Sequence, residues 1–221
     1  VGSGNGVIQK GKHENLFSYR PTAEGRKCRA PPDEPQNILG AHAGRADHPA
    51  EDQKGYGDKM SKFFMGVDPG ATGAAAFINE AGAYICFCDY PGSAAELANQ
   101  LTMHIGGPDA RNLEVFAVIE QVHAMPKQGV SSTGKFMKNA GIWEGIIAAL
   151  KIPYELITPQ RWRKILDSSV PKKPTKEDLR AYAIKRWPAA ADDLKRVKDH
   201  NRAEALLLAE FARLKHLGKI L

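Results

Sequence analysis

Three carboxylates in this 221-residue chain stand where ion binding, and not only solvation, could be their work. Asp68 ends an apolar run, Phe63 to Val67, just before Pro69-Gly70 breaks it. Glu120 ends a second run, Leu113 to Ile119. Glu204 precedes Leu207, Leu208 and Phe211 by helical steps, so it points from the N-terminal end of a packing face. Asp199 stands at the entrance of the same helix, where an Asp also commonly caps. A carboxylate is costly to bury without a compensating charge. Several together repel one another, and a divalent cation is the simplest neutraliser. Hard oxygen ligands suit Mg²⁺, with Mn²⁺ as the alternative. Two such ions about 4 Å apart can activate water and stabilise a leaving oxygen in phosphodiester cleavage. Each acid alone has a plainer reading as a solvated strand-end or capping residue; the set is what points to metal chemistry.

Charge distribution supports a polyanionic partner. The formal net charge is +6 and the isoelectric point about 9.2. Residues 161–198 alone hold 12 Lys+Arg against 5 Asp+Glu, a net of +7. Basic side chains there would hold phosphates while acid-bound metals cut one. No run of about 18 apolar residues is present, so no membrane span is expected. Cys28, Cys86 and Cys88 make no disulfide framework, which favours a reducing compartment. Cys86-Phe87-Cys88 lies in a strand-like run and reads as core packing, because a zinc site needs a second pair.

The elements that must position these acids follow from periodicity. Residues 1–59 are rich in Gly, Pro, Asn, His and charge, without a sustained period, and read as a disordered or non-native extension. Met60 opens the regular part, and a natural start there or a true flexible tail before it are both open. Residues 60–221 then read as one domain. Strands are expected at 62–68, 73–79 and 83–89, the last two joined by a hairpin at Glu80-Ala81-Gly82. Ser93 caps a helix at 94–105, and a buried strand at 113–119 delivers Glu120. A helix from Thr133 to about 150 presents Phe136, Ala140, Trp143, Ile147 and Leu150 on one face. Its small residues, Ala140, Gly141, Gly145 and Ala148, would admit another backbone. A strand at 153–157, helices near 160–167 and 176–187, and a last helix at 201–217 complete the chain. The packed side of the last helix is expected to carry Ala203, Leu207, Phe211, Leu214 and Leu217. Strand-strand-strand-helix-strand order means an α/β fold on a mixed five-stranded sheet, its first three strands antiparallel and helices on both faces.

Gly66-Val67-Asp68-Pro69-Gly70, then Ile119-Glu120-Gln121-Val122, then Ala203-Glu204-Ala205-Leu206, in this order and spacing, resemble the RuvC-type Holliday junction resolvases. Asp199-His200-Asn201-Arg202-Ala203-Glu204-Ala205 is most similar to the phage and chloroplast branch. The resemblance covers about 62–217. It implies a ribonuclease-H-like fold, a homodimer, two Mg²⁺ ions per active site and paired nicks across a four-way DNA junction. Asp68 and Glu120 match the first two catalytic acids and Glu204 the final one, commonly an Asp. Many members carry another Asp three residues before the last acid, where this chain has Asn201. Asp199 is therefore expected as the fourth ligand, with His200 as second choice.

The loop 123–135 should approach DNA. Lys127, Gln128, Ser131, Ser132 and Lys135 can bond phosphates or base edges, His123 can stack on a base, and Met125 can wedge between bases. Arg161, Arg163, Lys164, Lys172, Lys173 and Lys176 are the expected phosphate contacts as a group, while Trp162 and Trp187 read as packed. Alternatives stay open: a ribonuclease-H-like nuclease acting on RNA–DNA hybrid or DNA ends, and a junction binder without catalysis. An actin-like ATP-binding fold would need a second phosphate hairpin, and none follows residue 120. Bacterial or phage cytoplasm is the expected setting, with an organelle as the alternative, although residues 1–59 hold eight acids and do not resemble a transit peptide.

Overall fold

The computed structural model describes residues 61–70, 72–105, 113–123 and 129–220. The expected extension at 1–59 lies outside the described residues. Five strands, β1 (Ser61–Asp68), β2 (Ala74–Asn79), β3 (Tyr84–Asp89), β4 (Leu113–Glu120) and β5 (Tyr154–Ile157), form one sheet in the order β3-β2-β1-β4-β5. The β1–β2 and β2–β3 pairs are antiparallel, and β1–β4 and β4–β5 are parallel. This is the ribonuclease-H-like arrangement. The helices are α1 (Ala94–Ile105), α2 (Val130–Ala149), α3 (Pro159–Trp162), α4 (Lys176–Arg186) and α5 (His200–His216). Among the described residues, no helix is long and apolar enough to cross a membrane.

Strand alternation sorts the core into two layers. Met65, Val67, Phe77, Ala117 and Ile119 pack with Leu97 and Leu101 of α1 and Trp143 and Ile147 of α2. Phe64, Ala76, Ile78 and Val118 face α5, α4 and the short α3. Cys86 and Cys88 are buried in the first layer, as the strand reading requires.

The last helix differs from its expected single packed face. From Ala203 to Arg213 every side chain of α5 is buried. The sheet covers one side, and Leu179, Ala183, Ala190 and Leu194 cover the other. A helix buried all round is a core helix, and α5 is the core of this layer. Leu217, expected on the packed side, is instead 37% exposed. Glu210 is the one acid at the middle of α5, and both Arg186 and Arg213 pair with it, which offsets its desolvation.

Two other boundaries move. α2 begins at Val130 and not at Thr133, and Gly129 supplies no side-chain cap. No described residue packs on Gly141 or Gly145 of α2: a Cβ at either would meet no described atom within 4 Å, so the face that could admit another backbone is open. The helix expected near 160–167 is one turn of α3 followed by a 3-10 turn at Arg163–Ile165. Asp167 stops it by accepting the Ser169 backbone N–H at 2.8 Å, an Asx turn that competes with the helix. By contrast, Ser93 caps α1 as expected, its hydroxyl accepting from the Glu96 N–H at 3.2 Å.

Candidate metal centre

The sheet itself brings two acids together. β1 and β4 run parallel with Val67 opposite Ile119, so Asp68 and Glu120 end side by side. Alternation then puts Asp68 on the same face as Phe64, and Glu120 on the same face as Phe116 and Val118, toward α5. Gly66 lets α5 come down on that face. A Cβ at position 66 would stand 2.1 Å from the Ala205 carbonyl oxygen and from the Ala209 amide nitrogen. That close approach brings Glu204, in the first turns of α5, over the strand ends. Asp68, Glu120 and Glu204 each offer a carboxylate oxygen, and these lie within 4.8 Å of one another.

The environment is hostile to three bare charges. Asp68 is 6% exposed and Glu204 7%. Burial, then the charges of Glu204 and Glu120, push Asp68 up to about 8. Burial and the Glu120 charge push Glu204 up to about 7. Glu120 is raised by burial too, against the Trp162 hydrogen bond and the Arg163 and Lys176 charges. The Gly70 N–H donates to Asp68 Oδ1 at 3.1 Å, and Trp162 Nε1–H donates to Glu120 Oε1 at 2.9 Å. Nearby cations reduce the repulsion without cancelling it. Asp68 and Glu204, raised toward neutral pH in this way, would give up their protons to solvent as a cation binds. The donor set is all hard oxygen, converging and half to fully buried, which fits Mg²⁺ or Mn²⁺.

Asp199 stands apart from this cluster. It accepts from the Arg196 backbone N–H at 2.8 Å and from the Arg196 guanidinium at 2.7 and 2.9 Å. Burial works against its charge, but these bonds and the Arg196 charge hold the carboxyl below its usual range. The expected fourth ligand is thus committed to a residue three positions earlier. It does not cap α5 by its side chain either. His200, the second choice, is also outside the group: its Nδ1 is 3.2 Å from the Val197 carbonyl and its Nε2 is 2.8 Å from Lys176 Nζ.

The expected DNA-contacting residues fall into distinct places. His123 is exposed just beyond β4, while Met125, Lys127 and Gln128 lie outside the described residues. Ser131, Ser132 and Lys135 are exposed, but on the first turns of α2 and not in a loop. Lys164, Lys172 and Lys173 are exposed. Arg161 pairs with Glu155 at 3.3 Å. Arg163 lies over the Trp162 ring at 5.3 Å and acts on Glu120 and Glu204. Lys176 opens α4 and lowers all three clustered acids, so it stands at the metal centre as well as in the basic segment. Sequence reasoning missed Trp162 as the group that aims Glu120: the two are 42 residues apart, and an apolar environment alone explained the tryptophan.

No protein-family model and no curated protein matches the chain. Among solved structures, Thermus thermophilus RuvC in complex with a Holliday junction substrate is similar at a TM-score of 0.48 and 15% identity, over 72% of this chain and 98% of that one. A second Thermus thermophilus RuvC structure is similar at a TM-score of 0.42, with the same 15% identity and the same coverage.

Proposed function

We propose that this chain is a metal-dependent, structure-specific DNA endonuclease that acts on four-way junctions as a homodimer, each protomer nicking one of two opposed strands. The observation that carries the reading is the convergence of Asp68, Glu120 and Glu204 within 4.8 Å in a buried site. A junction binder without catalysis would gain nothing from clustered negative charge near phosphates. These three residues would hold the metal, Mg²⁺ by preference, and a pair of such ions would activate water and stabilise the leaving oxygen. The chain's own groups do the positioning. Trp162 orients Glu120, and the Gly70 amide orients Asp68. Arg163 and Lys176 place positive charge where a phosphate would arrive. Lys164, Lys172 and Lys173 extend that charge along the same basic segment.

A synthetic four-way junction tests this directly. With Mg²⁺, paired nicks at symmetric positions are expected, and none with a chelator. Asp68→Asn should abolish nicking while leaving junction binding within a few-fold. Cleavage of RNA–DNA hybrid in preference to the junction would reassign the substrate. Junction binding with no metal-dependent nick under any condition would leave a binding protein and sink the catalytic reading.

A further inference from the structure

The first turn of α5 is wired outward in three directions. Asp199 reaches back to Arg196, His200 reaches to α4 through Lys176, and Asn201 reaches to the β1–β2 turn. The third connection ties α5 to the turn that carries Asp68. Asn201 Nδ2 donates to the Thr72 carbonyl at 2.8 Å and lies 2.6 Å from the Thr72 hydroxyl. Thr72 is four residues after Asp68, in the turn closed by the Gly73 N–H bonding the Gly70 carbonyl at 2.9 Å. Asn201 is three residues before Glu204, on the same side of α5.

From this geometry we infer that Asn201 is a positioning residue, a neutral latch that holds the Asp68 turn against α5 so that Asp68 and Glu204 stay at ligand separation before the metal arrives. The inference rests on the metal-centre reading above. Its physical basis is a balance of forces. Carboxylates within 4.8 Å drive one another apart when ionised. The α5 backbone under Glu204 is held by packing on both sides. Asp68 ends its strand at a Pro-Gly turn, so its position depends on what holds that turn. A tether from α5 to that turn resists the separation. An amide suits the task and a carboxylate does not: only the amide donates to the Thr72 carbonyl, and it adds no charge to a crowded cluster. Asn201 is 8% exposed, so the tether is shielded from competing water.

Mn²⁺ binding by calorimetry, together with hydrogen exchange of the metal-free protein, tests the latch. Asn201→Ala should weaken Mn²⁺ by about tenfold or more, the usual scale for groups that orient metal ligands. Exchange at Thr72 and Gly73 should rise, with the α5 amides still protected. Thr72→Val, at an exposed position that does not threaten folding, removes only the hydroxyl contact. It should shift Mn²⁺ affinity the same way by a smaller factor, and the double variant should be no worse than Asn201→Ala. Asn201→Asp separates latch from ligand. Weaker Mn²⁺ binding supports the latch, whereas binding tighter than the parent means that position 201 ligates the ion and overturns it. Unchanged Mn²⁺ affinity in Asn201→Ala also overturns it while leaving the metal centre standing. Absence of Mn²⁺ binding by the parent protein would instead remove the metal-centre reading itself.

Discussion

Asp68 bears a heavy electrostatic burden, and that burden has a measurable sign. Its carboxyl moves from an ordinary value of 3.8 to about 8, because burial and two neighbouring acids disfavour its charge. Between those values the folded, metal-free protein holds a proton that the unfolded chain has released. Linkage then makes stability fall as pH rises through that window, with no cost below it and the full cost above it. The expected outcome is a melting temperature of the chelated protein that declines from about pH 4 to about pH 8 more steeply in the parent than in Asp68→Asn. Saturating Mg²⁺ should reverse much of the decline at the alkaline end, since the ion binds only the deprotonated folded site. Equal slopes in parent and variant would mean that Asp68 is better solvated than its surroundings indicate. The identity of this residue was legible in the sequence because an apolar run ended on it. Its partners were legible in unequal degree. Glu120 and Glu204 shared the same signature, an acid at the end of an apolar face. Asp199 had the right charge and the wrong neighbour: Arg196, three residues before it, captures its carboxylate, and a reading that counts acids by position does not see that competition.

The elements carry the site by close approach, and α5 on β1 is the decisive contact. Gly66 faces α5, where any side chain would meet helix backbone, and backbone cannot move aside as a side-chain tip can. Gly66→Ala should therefore destabilise the domain by about 1–3 kcal/mol or more, as overpacking does. It should also lower metal affinity, because lifting α5 lifts Glu204 away from Asp68. Denaturant titration and Mn²⁺ binding on the same variant would check both, and a variant with parent stability would show that α5 sits further from the strand. Strand boundaries were legible to within a residue or so, because alternation against two apolar layers leaves little freedom of register. Helices were less so, each for a local reason. α2 starts at Gly129-Val130 with no side-chain cap to announce it, and Asp167 diverts the chain after α3 into an Asx turn. The all-round burial of α5 was not legible, because the cover on its far side comes from residues 179–194, through tertiary packing that no periodicity within α5 encodes.

Among the described residues, one cluster of acids is buried at the strand ends while the basic segment beside it is largely exposed. The acids occupy one point at the C-terminal ends of β1 and β4. Residues 161–198, with a net of +7, lead from Trp162, which touches Glu120, through Lys176 beside the acids, to the approach to α5. On the function proposed above, a polyanion drawn to the basic segment would be led toward these carboxylates. That juxtaposition is repulsive without metal and attractive with it. Salt should expose the arrangement. Each phosphate neutralised releases counterions, so junction affinity should fall steeply with salt, by a slope of about one per phosphate contact. Replacing Lys172 and Lys173 with Ala should flatten that slope by about two and weaken junction and duplex alike, since phosphate contacts carry no sequence information. Mg²⁺ should raise the affinity of the parent at fixed ionic strength more than that of Asp68→Asn, because only the parent's full set of carboxylates demands the neutralising ion. A slope unaltered by loss of both lysines would move the DNA path off the 172–173 loop. Equal Mg²⁺ gains in parent and variant would separate the acids from the path of the DNA.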